Sequence, residues 1–440
     1  MYIIRGKLNQ EPEIFYALFL QTALSDRFSL LHSRIDCEIN SQKWLEKTYW
    51  ERFGLFSKER RKELADWQGA IWIHAVSVGE TNLALTLLKE WNAVNPDRKY
   101  IFSTTTTTGQ EIARNKAPDN VKVIFCPIDS CLAVTLTLNL LKPSAIVIME
   151  TELWPNLVLM AKKRGIKLAL VNTRISDKSF GGYRRFHFFF APLLKAFNCI
   201  LAQTAMDLER LQTICPALKE TASVSGNIKF DQKPPEREKF DYASVFGPDR
   251  TMILSCSTHS PEEALHLDAF KQIRQKFPQA SLTIVPRHAE RGGDIEKQIL
   301  DAGFTCFRRS TGTGTEKPDV LLADTTGELP AFIKGADIVL MGKTMAGNDE
   351  GQNIIEPALM GKPIISGPKL KNFRQALDVL VKADAVRRIE NDGELAAALR
   401  GLLSDHPAAE AMGQRAQAVI LANRGALQTT VNALENLMNQ

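Results

Sequence analysis

The sequence predicts an α/β protein built from two doubly wound, Rossmann-like domains facing a central crevice. From about residue 70, runs rich in β-branched residues alternate with stretches of helical periodicity. The runs are almost continuously apolar, as strands of a parallel sheet covered on both faces must be. The alternation halts at DQKPPEREKFD (231–241), which is charged, proline-rich and aperiodic, and it restarts afterwards. At 440 residues the chain has the length for two domains.

Residues 1–50 read as an N-terminal helical segment. Its most apolar stretch, residues 14–24 (IFYALFLQTAL), falls short of the roughly 20 residues that a bilayer span needs. It is expected to be a packed helix or an interfacial anchor. The first domain is drawn at 51–230. AIWIHAVSV is its first strand, and Leu83, Leu87, Leu88 and Trp91 then recur at helical spacing. The strands KYIFSTTTTTG, VKVIFCPID, SAIVIMETE, LALVNTRIS and CILAQT continue it, and SVSGNIKFD closes it. A linker is expected at 231–245. The second domain, 246–440, carries the strands TMILSCST, ASLTIVPRH, DVLLADT, ADIVLMG and KPIISG, then an alanine-rich helical tail.

Composition narrows the chemistry. A net charge of +5 suits an anionic substrate or an acidic membrane surface, but it is too evenly spread for nucleic acid. The seven cysteines are odd in number and never spaced C-x-x-C, so reduced thiols in a cytosolic compartment are expected. The histidines form no H-E-x-x-H pair, which argues against structural zinc. Neither G-x-G-x-x-G nor G-x-x-x-x-G-K-[ST] occurs, nor any D-x-D pair. Dehydrogenase and P-loop readings are weakened accordingly, as is a diphosphate sugar held through a metal.

Open parallel sheets bind ligands beyond the carboxyl ends of their strands, so the residues after each strand matter most. Glu80 follows the first strand in the opening turn of a helix. It is either a general base or a carboxylate favoured there by the helix dipole. Glu150 and Glu152 follow SAIVIM, and alternation puts both on one side of an extended chain. One suits a sugar hydroxyl or a cation, and one suits a helix cap. Asn172, Arg174 and Lys229 end later strands; the two cations suit a phosphate or carboxylate, or else solvent. In the second half, Ser257-Thr258-His259 and Pro286-Arg287-His288 occupy post-strand positions. Thr326-Gly327-Glu328 precede a helix whose first amides can receive an anion. Asn353 and Glu356 open another helix, where a glutamate can accept two ribose hydroxyls.

HAVSVGE, TTTTTG, METELWPN, VNTRIS, GNIKFD, STH, VPRH, DTTGEL and GQNIIEPALMGKPIISGP lie in this order over about residues 70 to 375. Together they resemble the 3-deoxy-D-manno-octulosonic acid (Kdo) transferases, which add Kdo to the lipid A precursor in Gram-negative bacteria. The resemblance implies the GT-B fold, with acceptor binding by the first domain and CMP-Kdo binding by the second. It implies lipopolysaccharide biosynthesis at the cytoplasmic face of the inner membrane. By the same resemblance Glu80 is the catalytic base, and Glu150 and Lys229 stabilise the transition state. CMP is then held by Pro286, Arg287, Gly327, Glu328, Leu329, Asn353, Ile354, Ile355 and Glu356.

The expected partners are CMP-Kdo, the lipid A precursor and an anionic membrane surface, with no nucleic acid. No cofactor or metal is expected, because CMP carries a single phosphate that cationic side chains and amides can neutralise. FGGYRRFHFFFAPLLKAF (180–197) interleaves aromatic rings with cations, as an interfacial patch or as a core helix with a basic outer face. The alternatives are another GT-B nucleotide-sugar glycosyltransferase or epimerase, or a catalytically silent GT-B scaffold.

Overall fold

The computed structural model describes residues 48–233 and 236–440. The segment 1–47, with its apolar stretch at 14–24, lies outside the described residues. The chain divides into two compact units. One holds the described residues up to Ser225 together with Gln428–Gln440, and the other is Gly226–Leu427.

The first unit is built on β1 (Ile71–Ala75), β2 (Tyr100–Thr104), β3 (Val121–Phe125), β4 (Ala145–Met149), β5 (Lys167–Thr173), β6 (Cys199–Ala202) and β7 (Ala222–Val224). They form one parallel sheet in the order β3-β2-β1-β4-β5-β6-β7. All five residues of β1 are buried, which is why the strand reads as a continuous apolar run. Strand character stops earlier than the run does. Ser77 caps the helix Val78–Val94, which buries Leu83, Ala84, Leu87, Leu88 and Trp91. That helix ends at Asn95, whose following Pro96 pushes it out of the helical region. The threonine run divides likewise: β2 ends at Thr104, and Thr106 caps the helix Thr107–Lys116.

The second unit is built on β8 (Thr251–Thr258), β9 (Ala280–Pro286), β10 (Cys306–Arg308), β11 (Thr313–Gly314), β12 (Val320–Leu322), β13 (Ile338–Met341), β14 (Ile364–Ser366) and β15 (Arg387–Arg388). Their order is β11-β10-β12-β9-β8-β13-β14-β15, parallel except for the β10–β11 pair. Successive residues face opposite ways. Leu254, Leu321 and Val339 enter one apolar cluster, while Ile253, Leu282 and Leu340 enter the other. Helices therefore cover both faces, and the unit is doubly wound.

Three sequence expectations change. GNIKFD is not a strand end: β7 stops at Val224, and Ile228–Asp231 is a 3-10 turn. Phe230 is buried in the core of the second unit, so the division falls at Ser225/Gly226 rather than within 231–245. The final helix, Ala426–Asn439, belongs to the first unit from Gln428 onward. Glu435 on it pairs with Arg98 and accepts from the Trp91 indole, and Lys167 donates to the Met438 carbonyl at 3.1 Å.

Candidate active site

In the first sheet the strand order reverses beside β1, which lies between β2 and β4. Ligands of doubly wound sheets bind at such a reversal, beyond the strands' carboxyl ends. Glu80 follows β1 and Glu150 follows β4, so the reversal presents both.

Glu80 is 8% exposed. Its carboxylate accepts from the Val76 N–H and the Ser77 hydroxyl, each at 2.9 Å, and its own N–H donates to Ser77 Oγ at 3.3 Å. This is a capping box shifted by one residue, so the capping role is real. Burial nevertheless pushes the carboxyl up to about 7. The Val76 N–H opposes that shift, the charges of Glu150 and Glu152 add to it, and the Ser77 bond opposes it. The group therefore exchanges a proton near neutrality, as a general base requires.

Glu150 is not part of an extended chain. Its φ is +53°, and its N–H donates to the Val171 carbonyl at 2.8 Å. Simple alternation with Glu152 therefore fails, although both carboxylates still act on Glu80. A glutamate in the left-handed region is strained, and such strain gathers at functional sites. The helix Pro155–Lys163 has a side-chain cap on its first turn. That cap is Asp129, whose oxygens accept from the Asn156 and Leu157 N–H groups at 3.0 and 2.8 Å. Burial raises Asp129 to about 6, against the hydrogen bonds from Asn156 and Leu157.

His74, fully buried on β1, meets Ser103 Oγ at 2.9 Å and lies edge-on to the Trp154 ring, with centroids 5.6 Å apart. Burial holds its imidazole down to about 4, against the Ser103 bond. It is neutral near pH 7 and packs METELWPN against β1.

Lys229 lies in the second unit. Its ammonium donates to the Asn372 carbonyl at 3.2 Å and lies 5.4 Å from the centre of the Phe373 ring. Pro286 ends β9 and is buried; Arg287 is exposed, and its N–H donates to the Thr258 carbonyl at 3.0 Å. Gly327 takes φ +87°, a conformation glycine adopts freely, ahead of the helix Leu329–Gly335. The Glu328 carboxylate binds Arg309 through two hydrogen bonds, of 2.8 and 3.2 Å, and these hold it below its usual range. Asn353 Oδ1 accepts from the Ile355 N–H at 3.2 Å, while its amide donates to Gln232 at 2.9 Å. Ile354 and Ile355 are buried. Glu356 is half-buried, and burial raises its carboxyl. Among the described residues no three His, Cys, Asp or Glu side chains gather as a metal ion would need.

Asp129 and Ser77 lie outside the candidates read from sequence. Ser77 alone carried a signal, the S-x-x-E spacing of a capping box.

Two doubly wound units of this kind make up the GT-B fold. A family profile described as 3-Deoxy-D-manno-octulosonic-acid transferase (kdotransferase) matches residues 47–232. The chain is 30% identical over 370 residues to the 3-deoxy-D-manno-octulosonic acid transferase of Haemophilus influenzae, covering 83% of this chain and 86% of that protein. It is 31% identical over 401 residues to the enzyme of the same name from Bordetella pertussis, covering 88% and 92%. In fold alone it is similar to S. aureus MnaA in a co-structure with UDP, with a TM-score of 0.56, 15% identity and coverage of 84% and 97%. The chain belongs to the 3-deoxy-D-manno-octulosonic acid transferase family and is a glycosyltransferase.

Proposed function

We propose that the protein transfers Kdo from CMP-Kdo to a hydroxyl of the lipid A precursor, with inversion, in lipopolysaccharide biosynthesis. The observation that carries this reading is Glu80, a buried carboxylate raised to about 7 at the strand-order reversal of the first sheet. Glu80 takes the proton of the acceptor hydroxyl as its oxygen attacks the anomeric carbon of Kdo. The bond from that carbon to the phosphate oxygen breaks, and CMP leaves with the electron pair. One positioned base and a stabilised leaving group suffice. Glu150 and Lys229 are assigned to the charge that develops in the transition state. Arg287 and the N–H groups of Gly327 to Leu329 meet the departing phosphate. Asn353, Ile354, Ile355 and Glu356 hold the nucleoside, with Glu356 accepting the ribose hydroxyls. No metal enters this scheme.

The acceptor is a lipid, so the reading needs an anionic membrane surface at the cytoplasmic face of the inner membrane. Phe186 and Phe188 are 40% and 60% exposed beside the exposed Arg184 and Arg185, whereas Tyr183, Phe189 and Phe190 pack on the core. The outward rings and cations suit an anionic interface, and liposome flotation with and without anionic lipid tests it. No helix among the described residues is long and apolar enough to cross a membrane.

The test of the reaction is mass spectrometry of a tetra-acylated lipid A precursor incubated with pure protein and CMP-Kdo. The acceptor gains the mass of Kdo under this reading. An unchanged acceptor, or competition by UDP-sugars in place of CMP, rejects it.

A further inference from the structure

The second sheet reverses its strand order between β8 and β13, and a single carboxylate joins the loops that leave it there. Glu262 is fully buried. Its Oε2 accepts from the His259 and Lys343 N–H groups at 3.0 and 2.7 Å. Its Oε1 accepts from those of Thr344 and Met345 at 2.7 and 2.9 Å. Four N–H groups on one charged acceptor fix the backbone of both loops. Lys343 is held at φ +61°, a region that lysine seldom adopts. Gly342 before it leaves no room for a Cβ, which would fall 2.3 Å from the Ser257 carbonyl oxygen. Lys343 is therefore the first residue beyond β13 that can present a side chain.

The Lys343 ammonium is paired with Glu350, whose side chain is 53% exposed. The surroundings are those of the proposed donor site. The charges of Lys343, His288 and Arg287 all act on His259, which burial already holds below its usual range. The main chain of Glu350 accepts from the Asn372 N–H at 2.9 Å, and Asn372 in turn accepts from the Lys229 ammonium. The Gly351 N–H closes the loop on the Lys343 carbonyl at 2.8 Å, two residues before Asn353.

We propose that Lys343 receives the carboxylate of the donor sugar, and that Glu350 is the internal carboxylate it releases in exchange. The proposal rests on the CMP-Kdo reading. Kdo is an acid, so its CMP ester carries a carboxylate besides the phosphodiester. Arg287 and the 327–329 amides are assigned to the phosphate, and the second anion needs a cation of its own. Lys343 already seats a carboxylate, and its compact ammonium suits one. Exchange conserves the ion pair and gives up only a partly solvated one. A donor without a carboxylate leaves Glu350 in place and gains nothing from Lys343, so the pair selects for acidic sugars.

The test uses full-length wild type, Lys343→Gly and Glu350→Gln. Glycine takes φ +61° without strain, so the first variant removes the ammonium without burdening the fold. KM for CMP-Kdo and the inhibition constant of CMP are measured for each. Lys343→Gly is expected to raise KM for CMP-Kdo about tenfold, the loss of one charge-assisted bond, with CMP inhibition within about twofold. Glu350→Gln is expected to lower that KM about two- to threefold, because an exposed competitor is gone. Equal weakening of CMP and CMP-Kdo by Lys343→Gly overturns the proposal, since the ammonium would then serve the phosphate. An unchanged KM in that variant, or a raised KM in Glu350→Gln, overturns it too. Wild type that is inert toward CMP-Kdo overturns the donor reading itself, a result that no variant outcome imitates.

Discussion

Ser77 and Glu80 hold each other across the first turn of one helix. The Glu80 N–H donates to Ser77 Oγ at 3.3 Å, and the Ser77 hydroxyl donates to Glu80 Oε1 at 2.9 Å. Ser77→Ala removes the cap, at about 1 kcal/mol of stability, and removes a bond that favours ionised Glu80. The ascending limb of the pH–rate profile, expected near the Glu80 value of about 7, should move upward in the variant. Chemical denaturation and kcat/KM against pH check the two effects.

Glu80 also makes a signed prediction about stability. Its folded value of about 7 lies above the ordinary 4.5, so the native state holds the proton longer than the unfolded chain. Its stabilising contribution is full below pH 4.5 and is lost as pH rises through 7. Wild type should therefore lose on the order of 2 kcal/mol relative to Glu80→Gln between pH 5 and pH 8. Parallel denaturant titrations of the pair isolate this group from others that titrate in the same range.

Asp129 satisfies two buried N–H groups at the start of METELWPN's helix. Asp129→Ala orphans both and should cost about 2–3 kcal/mol. It should lower kcat more than it raises donor KM, because it loosens the turn that aims Glu150 and Glu152. Asp129→Asn, which can still accept one of the two bonds, should recover part of each loss.

Much of this was legible in the residues, for physical reasons that can be named. Strands buried on both faces betray themselves as apolar runs, so β1, β4, β8 and β13 were found. Their carboxyl ends were overestimated where β-branched or small residues continue into a cap, as at Ser77 and Thr106. Glu150 was placed correctly after β4, but its left-handed backbone has no signature in a glutamate. Asp129 caps a helix 27 positions away, and Glu262 reaches the Lys343 loop across about 80 residues. Such contacts depend on sheet order, which local periodicity does not encode. The return of Ala426–Asn439 to the first unit depends on Glu435 meeting Arg98, and neither residue announces the other.

Glu356 is assigned to the ribose of CMP. Glu356→Ala should weaken CMP about tenfold or more while leaving the fold intact, because its carboxylate is raised by burial alone and caps nothing. Calorimetric titration with CMP, set beside a melting curve, measures both.

Transfer is expected to persist in EDTA, because the proposed scheme leaves neutralisation of the departing phosphate to Arg287 and backbone amides. Loss of activity in the chelator, restored by magnesium, would remove the metal-free scheme.

The most direct measurement is Kdo transfer by Glu80→Gln with CMP affinity determined on the same preparation. The account predicts that transfer falls by at least about a thousandfold, through loss of the general base and its charge, with CMP affinity unchanged. Turnover at the wild-type rate in that variant would contradict it.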